Sequence, residues 1–122
     1  MNNPQRILVV DDDLSIRNFI RVNLEARSYQ VFTAPDGEEA IRIAEKEKPE
    51  LIILDIVMPG LDGFAVCRKI REGSSVPILM LSAREGENDR ELCAACGAND
   101  YLTKPFVLRE LLDRVKTLLK QK

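Results

Sequence analysis

Short, wholly aliphatic runs alternate with amphipathic stretches along the whole sequence, and this alternation constrains the fold more than any other feature. Ile7-Leu-Val-Val10, Leu51-Ile-Ile-Leu54 and Val76 to Leu81 contain no polar side chain. Such strands are buried on both faces, as in a parallel sheet with helices on each side, because a strand with one wet face alternates apolar and polar residues. The intervening stretches have helical periodicity. The last is the clearest, with Leu108, Leu111, Leu112, Val115, Leu118 and Leu119 forming a single stripe that must pack on the sheet. Repeated strand-helix units of this kind define an α/β, doubly wound domain. Strands are expected at about 6–11, 30–34, 51–54, 77–81 and 100–102, with helices at about 14–27, 37–47, 63–72, 88–96 and 107–120. The second and fifth strands have mixed composition, which suits the edges of a sheet. The fourth helix has Leu92 as its one large apolar residue, backed by Ala94, Ala95, Cys93 and Cys96, and is expected to be the least firmly anchored element.

The 122 residues suit one compact domain, 1–122, with no repeat and no linker. A formal net charge of −2 gives no field to attract nucleic acid or an anionic membrane. The chain has no His, which excludes Ser-His-Asp and Cys-His catalysis, His-ligated zinc and a phosphohistidine of its own. No apolar run approaches the ~20 residues that span a bilayer, and the first residues lack the apolar segment of a signal peptide, so a cytoplasmic location is expected. Cys93-Ala-Ala-Cys96 has thiol-redox spacing, but no second pair or His completes a zinc site. The three cysteines are read as small, reduced packing residues.

Ligands of an open parallel sheet bind outside the carboxyl ends of its strands. Asp11, Asp12 and Asp13 close the first strand, Asp55 the third and Ser82 the fourth, while Lys104 follows the fifth. Carboxylates crowded on one rim repel each other and stay ionised only beside a cation. Mg²⁺ suits them, as a hard ion held by one or two carboxylates together with phosphate oxygens. A carboxylate can also attack phosphorus and become an aspartyl phosphate, a transfer that needs charge neutralisation and positioning more than covalent help. A metal, a Lys ammonium and a hydroxyl donor around one Asp supply these needs. Asp13 and Asp62 also stand where helix N-caps are required.

Four segments, Ile7-Leu-Val-Val-Asp-Asp-Asp13, LIILDIVMPGLDG from Leu51 to Gly63, PILMLSAR from Pro77 to Arg84 and GANDYLTKPF from Gly97 to Phe106, resemble in order and separation the receiver domain of bacterial two-component response regulators. The resemblance implies a (βα)5 flavodoxin-like fold, a five-stranded parallel sheet of order 2-1-3-4-5. It implies Asp55 as phosphoacceptor, Mg²⁺ held by Asp11, Asp12 and Asp55 with the backbone carbonyl of Val57, and a phosphoryl group contacted by Ser82 and Lys104. Tyr101 falls on the family's switch aromatic, which follows the Ser82 hydroxyl, and Lys104-Pro105 on a peptide bond that is cis in the family. The resemblance further implies a sensor histidine kinase as phosphodonor, and the donor His must come from another protein because this chain has none.

Finer features resemble the OmpR/PhoB branch, in which the receiver is joined to a winged-helix DNA-binding domain and dimerises through the fourth helix, fifth strand and fifth helix. Arg90, Asp100, Glu110 and Arg114 fall on that branch's intersubunit charged pairs. Asn99 and Gln121 depart from the acid and the base common there. The branch resemblance favours a receiver cut from a longer transcription regulator over a complete single-domain one. Val57 and Arg84 flank the site, and apolar Val57 together with a screening Arg84 is expected to give a long-lived phosphoaspartate.

Three rival readings are open to the sequence. ILVVDDDLSI also fits the nucleophile strand of a haloacid-dehalogenase-like phosphatase, with Asp11 as nucleophile and Asp13 as general acid, although no later acidic pair follows. A flavodoxin-like cofactor binder would need Ser, Thr or Gly amides to cradle a phosphate where this chain has three aspartates. A receiver-like protein-interaction module would never be phosphorylated. The favoured reading is a phosphoacceptor signalling domain and not an enzyme, with slow self-phosphorylation and autodephosphorylation.

Overall fold

The computed structural model describes residues 3–83 and 87–120. Five strands and five helices alternate: β1 (Arg6–Val10), α1 (Leu14–Glu25), β2 (Gln30–Ala34), α2 (Gly37–Glu47), β3 (Leu51–Asp55), α3 (Gly63–Arg71), β4 (Ile78–Ser82), α4 (Glu87–Ala95), β5 (Asp100–Thr103) and α5 (Leu108–Leu119). The strands form one sheet of order β2-β1-β3-β4-β5, with every pairing parallel. The two mixed strands are the edges, as their composition requires.

Side-chain alternation divides each central strand between two cores. Leu8, Val10, Ile52, Leu54, Ile78 and Met80 face a core with Val66, Cys67 and Ile70 of α3 and with Cys93 and Cys96. Ile7, Val9, Leu51, Ile53, Leu79 and Leu81 face the other, which α1 closes with Ile20 and Leu24 and α5 with Leu111, Val115, Leu118 and Leu119. Each such side chain, fully buried, contributes roughly 1.5–3 kcal/mol. This two-sided burial explains why the central strands carry no polar residue between their two ends.

Helices α1, α2 and α3 begin where carboxylates cap them. Asp13 accepts from the N–H groups of Ser15 and Ile16, Asp36 from that of Glu39 and Asp62 from that of Ala65. These bonds satisfy donors that a helix start leaves free, and the negative charge suits the helix dipole. Helix α1 stops two residues short of the expected position, because the chain turns through Ser28 at φ 71° into β2.

Helix α4 differs from its reading in one respect. Leu92 is 47% exposed and does not anchor it; among the described residues of this segment, the buried ones are Cys93 and Cys96. The helix therefore rests on two small thiols, which strengthens the expectation that it is weakly held.

Candidate functional site

The parallel register brings the carboxyl ends of β1, β3, β4 and β5 to one edge. Val10 lies beside Leu54, Asp55 beside Leu81 and Ser82 beside Thr103, so Asp11, Asp55, Ser82 and Lys104 emerge together. Backbone bonds hold this rim: Asp11 N–H donates to Ala34 O at 3.2 Å, Ile56 N–H to Leu81 O at 3.0 Å and Lys104 N–H to Ser82 O at 2.6 Å. The peptide between Lys104 and Pro105 is cis.

Among the described residues, Asp11, Asp55 and Ser82 are the buried polar side chains, exposed by 0%, 5% and 1%. Three buried polar groups at one sheet edge, in a protein whose other core residues are apolar, mark a site that stability alone would not select. One carboxylate oxygen from each of Asp11, Asp12 and Asp55 lies within 4.8 Å of the others. Asp12 is exposed and closes the cluster on the solvent side. The Lys104 ammonium sits 3.0 Å from Asp11 Oδ2 and 3.4 Å from Asp55 Oδ1.

The electrostatics follow from this packing. Burial, reinforced by the negative charge of Asp11, pushes the Asp55 carboxyl up to about 6, against the opposing pull of the Lys104 charge and of hydrogen bonds from Lys104 and the Val57 N–H. Burial works against the charged form of Lys104. The hydrogen bond to Asp11 and the charges of Asp55 and Asp11 outweigh it and hold the ammonium above its usual value. Three carboxylates thus face one ammonium, leaving a surplus of negative charge. An all-oxygen donor set with that surplus fits a hard divalent cation such as Mg²⁺, and Asp11, Asp12 and Asp55 are the residues able to hold it.

Two residues that support the site were not singled out from the sequence. Arg17 donates from Nη1 to the Asp11 backbone carbonyl at 2.8 Å, fixing the turn that aims Asp11 inward. Its signal was a cation in the first turn of a helix, where the helix dipole disfavours one. Gly63 is the second, because a Cβ there would stand 2.4 Å from the Asp55 carbonyl oxygen and 2.7 Å from Ile56 Cα. Only glycine lets α3 start directly against the end of β3.

Tyr101, Arg90, Asp100, Glu110 and Arg114 lie on the α4, β5 and α5 side. Tyr101 is half-buried, and the Arg90 guanidinium lies 5.7 Å from its ring centroid, within cation-π range. Arg114 Nη1 pairs with Asp100 Oδ1 at 3.0 Å and donates to the Tyr101 carbonyl at 2.9 Å. Glu110 is exposed in the first turn of α5. Asn99 is exposed, and its Oδ1 accepts from Arg71 Nη2 at 2.7 Å and from the Ile78 N–H at 2.9 Å. Val57 is 55% exposed beside the acidic cluster. Arg84 and Gln121 lie outside the described residues.

The sequence pattern of the response regulator receiver domain matches residues 7–116. The alkaline phosphatase synthesis transcriptional regulatory protein PhoP of Bacillus subtilis is 50% identical over 118 residues, covering 96% of this chain and 49% of PhoP. The response regulator MprA of Mycolicibacterium vanbaalenii is 45% identical over 119 residues, covering 97% of this chain and 52% of MprA. The chain thus spans about half the length of the curated relatives it matches. Among solved structures, the BeF3-activated N-terminal receiver domain of Klebsiella pneumoniae RstA is similar with a TM-score of 0.91 and 32% identity, over 96% of this chain and 100% of that one. Thermotoga maritima TrrA in complex with Mg²⁺-BeF gives 0.85 and 36%, over 93% of this chain and 98% of that one. The phosphatase and interaction-module alternatives gain no support from these relatives, and Asp13, the general acid the phosphatase would need, caps α1.

Proposed function

The chain belongs to the response regulator receiver domain family, and from that premise we propose that Asp55 accepts a phosphoryl group from a sensor histidine kinase. The observation that carries this reading is the Lys104 ammonium between the buried carboxylates of Asp11 and Asp55. An Asp55 oxygen attacks phosphorus in line with the leaving imidazole; the new P–O bond forms as the P–N bond breaks, and the imidazole departs with the electron pair. Lys104 is placed to stabilise the charge on the transferred group, and the Ser82 hydroxyl to donate to one of its oxygens. Asp11, Asp12 and Asp55, with the Val57 carbonyl, would hold Mg²⁺, which would supply charge neutralisation for the transferred group.

Phosphorylation then acts as a switch. Ser82 moves toward the phosphoryl oxygen and draws the start of α4 with it, and Tyr101 follows the hydroxyl. A helix anchored by Cys93 and Cys96 rather than by large side chains reorients at low cost. The face built from α4, β5 and α5 changes population between two forms and supports a phosphorylation-dependent homodimer. Arg90, Asp100, Glu110 and Arg114 set its register, with Asn99 held in the Arg71 contact. Residues 1–122 form a single receiver domain whose output is transcription regulation, the role the name of PhoP gives that relative, exerted through an effector domain outside them. The domain itself binds no nucleic acid and no membrane. Among the described residues no helix is long and apolar enough to cross one, and a cytoplasmic location follows as part of the proposal. Beyond slow self-phosphorylation from small phosphodonors and slow autodephosphorylation, the domain performs no enzymatic turnover.

Intact mass after incubation with acetyl phosphate tests the assignment. One added phosphoryl group that requires both Mg²⁺ and Asp55, absent from Asp55→Asn, is expected. No gain on the wild type, or a gain that survives Asp55→Asn, overturns it.

A further inference from the structure

The phosphoryl chemistry leaves one cluster of reactive groups unused. Cys67 of α3 and Cys93 and Cys96 at the end of α4 are all buried, exposed by 0%, 3% and 4%. The Cys67 thiol donates to the Cys96 carbonyl at 3.3 Å. The Cys96 thiol, in turn, donates to the Cys93 carbonyl at 3.1 Å. Arg71 clamps the same seam, its Nε donating to the Gly97 carbonyl at 2.9 Å. The cluster thus joins the end of the least anchored helix to its neighbour, far along the chain but in direct contact.

We propose that Cys67 and Cys96 are a disulfide-forming thiol pair which, when oxidised by a small-molecule disulfide, ties the end of α4 to α3. The neighbouring pair Cys93 and Cys96 does not fit that role. Its contact, the Cys96 thiol on the Cys93 carbonyl, lies wholly on the α4 side of the seam, so a bond between these two would tie α4 to nothing, whereas Cys67 reaches Cys96 from α3. The closed seam protects the pair, since burial pushes the Cys67 thiol up to about 12. Reaction therefore waits on local opening of α4, whose apolar contacts are few. In the open form the Cys96 thiolate attacks one sulfur of the oxidant and releases the first thiolate. The Cys67 thiolate then attacks the Cys96 sulfur of the mixed disulfide and releases the second. Two protons leave the cysteines, two electrons reduce the oxidant to two thiols, and the S–S bond forms across the seam.

The test incubates the full chain with oxidised glutathione, alkylates the remaining thiols, and maps the peptides after digestion. The expected product has lost two hydrogens, links the Cys67 and Cys96 peptides, reverts with dithiothreitol, and forms equally in Cys93→Ala. Amide exchange over 87–95 is expected to slow in the linked protein. A Cys93–Cys96 link, a glutathione adduct that never resolves, or unmodified thiols after α4 amides have exchanged would each overturn the pairing. A Cys67–Cys96 link that leaves α4 exchange unchanged overturns the tether.

Discussion

Lys104, 93 residues from Asp11 in sequence, places its ammonium 3.0 Å from Asp11 and 3.4 Å from Asp55. It is the cation on which two buried carboxylates both depend. Removing one partner of a buried charge pair leaves the other uncompensated, at a cost of roughly 3–5 kcal/mol when burial is complete. Lys104 retains 16% exposure, and some of the loss is recovered by water. Lys104→Ala should therefore lower stability by about 2–4 kcal/mol in chelator, measured by urea unfolding. Mg²⁺ should restore part of it by replacing the missing charge, and equal stability of variant and wild type in chelator would contradict the pairing.

Gly63→Ala probes the same site through the backbone. The added Cβ meets main-chain atoms of Asp55 and Ile56 at 2.4 and 2.7 Å, and backbone there is held by the Gly63 N–H to Ile56 carbonyl bond at 2.7 Å. Relief requires α3 to move off β3. A destabilisation of about 1–3 kcal/mol is expected, with slower phosphorylation by acetyl phosphate because Asp55 shifts. Wild-type rates and wild-type unfolding together would show that α3 has room to spare.

The sheet was legible because its central strands are buried on both faces and cannot hide that composition; the strand order came through the family resemblance and not through periodicity. The site was legible as residue types at strand ends, and the family resemblance supplied the individual roles. What stayed hidden depends on close packing. Leu92 reads as the one large apolar residue of α4, yet it is exposed and Cys93 and Cys96 are the residues buried there. The need for Gly63 is visible only where α3 meets Asp55 and Ile56. Asn99 reads as a lost acid, whereas its carbonyl bridges Arg71 and the start of β4.

Val57 stands exposed beside Asp55 and offers no group to orient an attacking water. The phosphoaspartate is accordingly expected to be long-lived, and Val57→Asn, which adds a donor and an acceptor at that position, should shorten its lifetime. The measurement is loss of the phosphorylated mass with time in Mg²⁺ after removal of acetyl phosphate. An unchanged lifetime would move the control of hydrolysis away from this position.

Arg114 holds both Asp100 and the Tyr101 carbonyl, on the face proposed to dimerise. The pair is about one third exposed, so its loss should cost the monomer less than about 1 kcal/mol. Across a dimer, charged groups of this kind fix register and partner choice. Arg114→Ala should therefore leave the unfolding midpoint nearly unchanged while weakening beryllofluoride-dependent dimerisation in sedimentation. Dimers as strong as wild type would remove Arg114 from the interface.

Asp55 gives the site a pH signature of opposite sign to that of an ordinary stabilised carboxylate. Its carboxyl titrates at about 6 in the fold, raised from 3.8, so the native state binds this proton more tightly than the unfolded chain. The favourable contribution is complete below the unfolded value and is lost as pH rises through the folded one. Metal-free protein should thus lose roughly 2–3 kcal/mol from this group between about pH 4 and 7. Asp55→Asn carries no such charge, and should be more stable than wild type at pH 7 in chelator, with the difference closing toward pH 4. Comparing the two proteins by urea unfolding across that range isolates Asp55 from the other carboxylates, which titrate in both. A constant difference would mean that Asp55 ionises normally and that the crowding of Asp11, Asp55 and Lys104 imposes no strain; a difference that disappears with added Mg²⁺ would identify the charge surplus as the feature the cation answers.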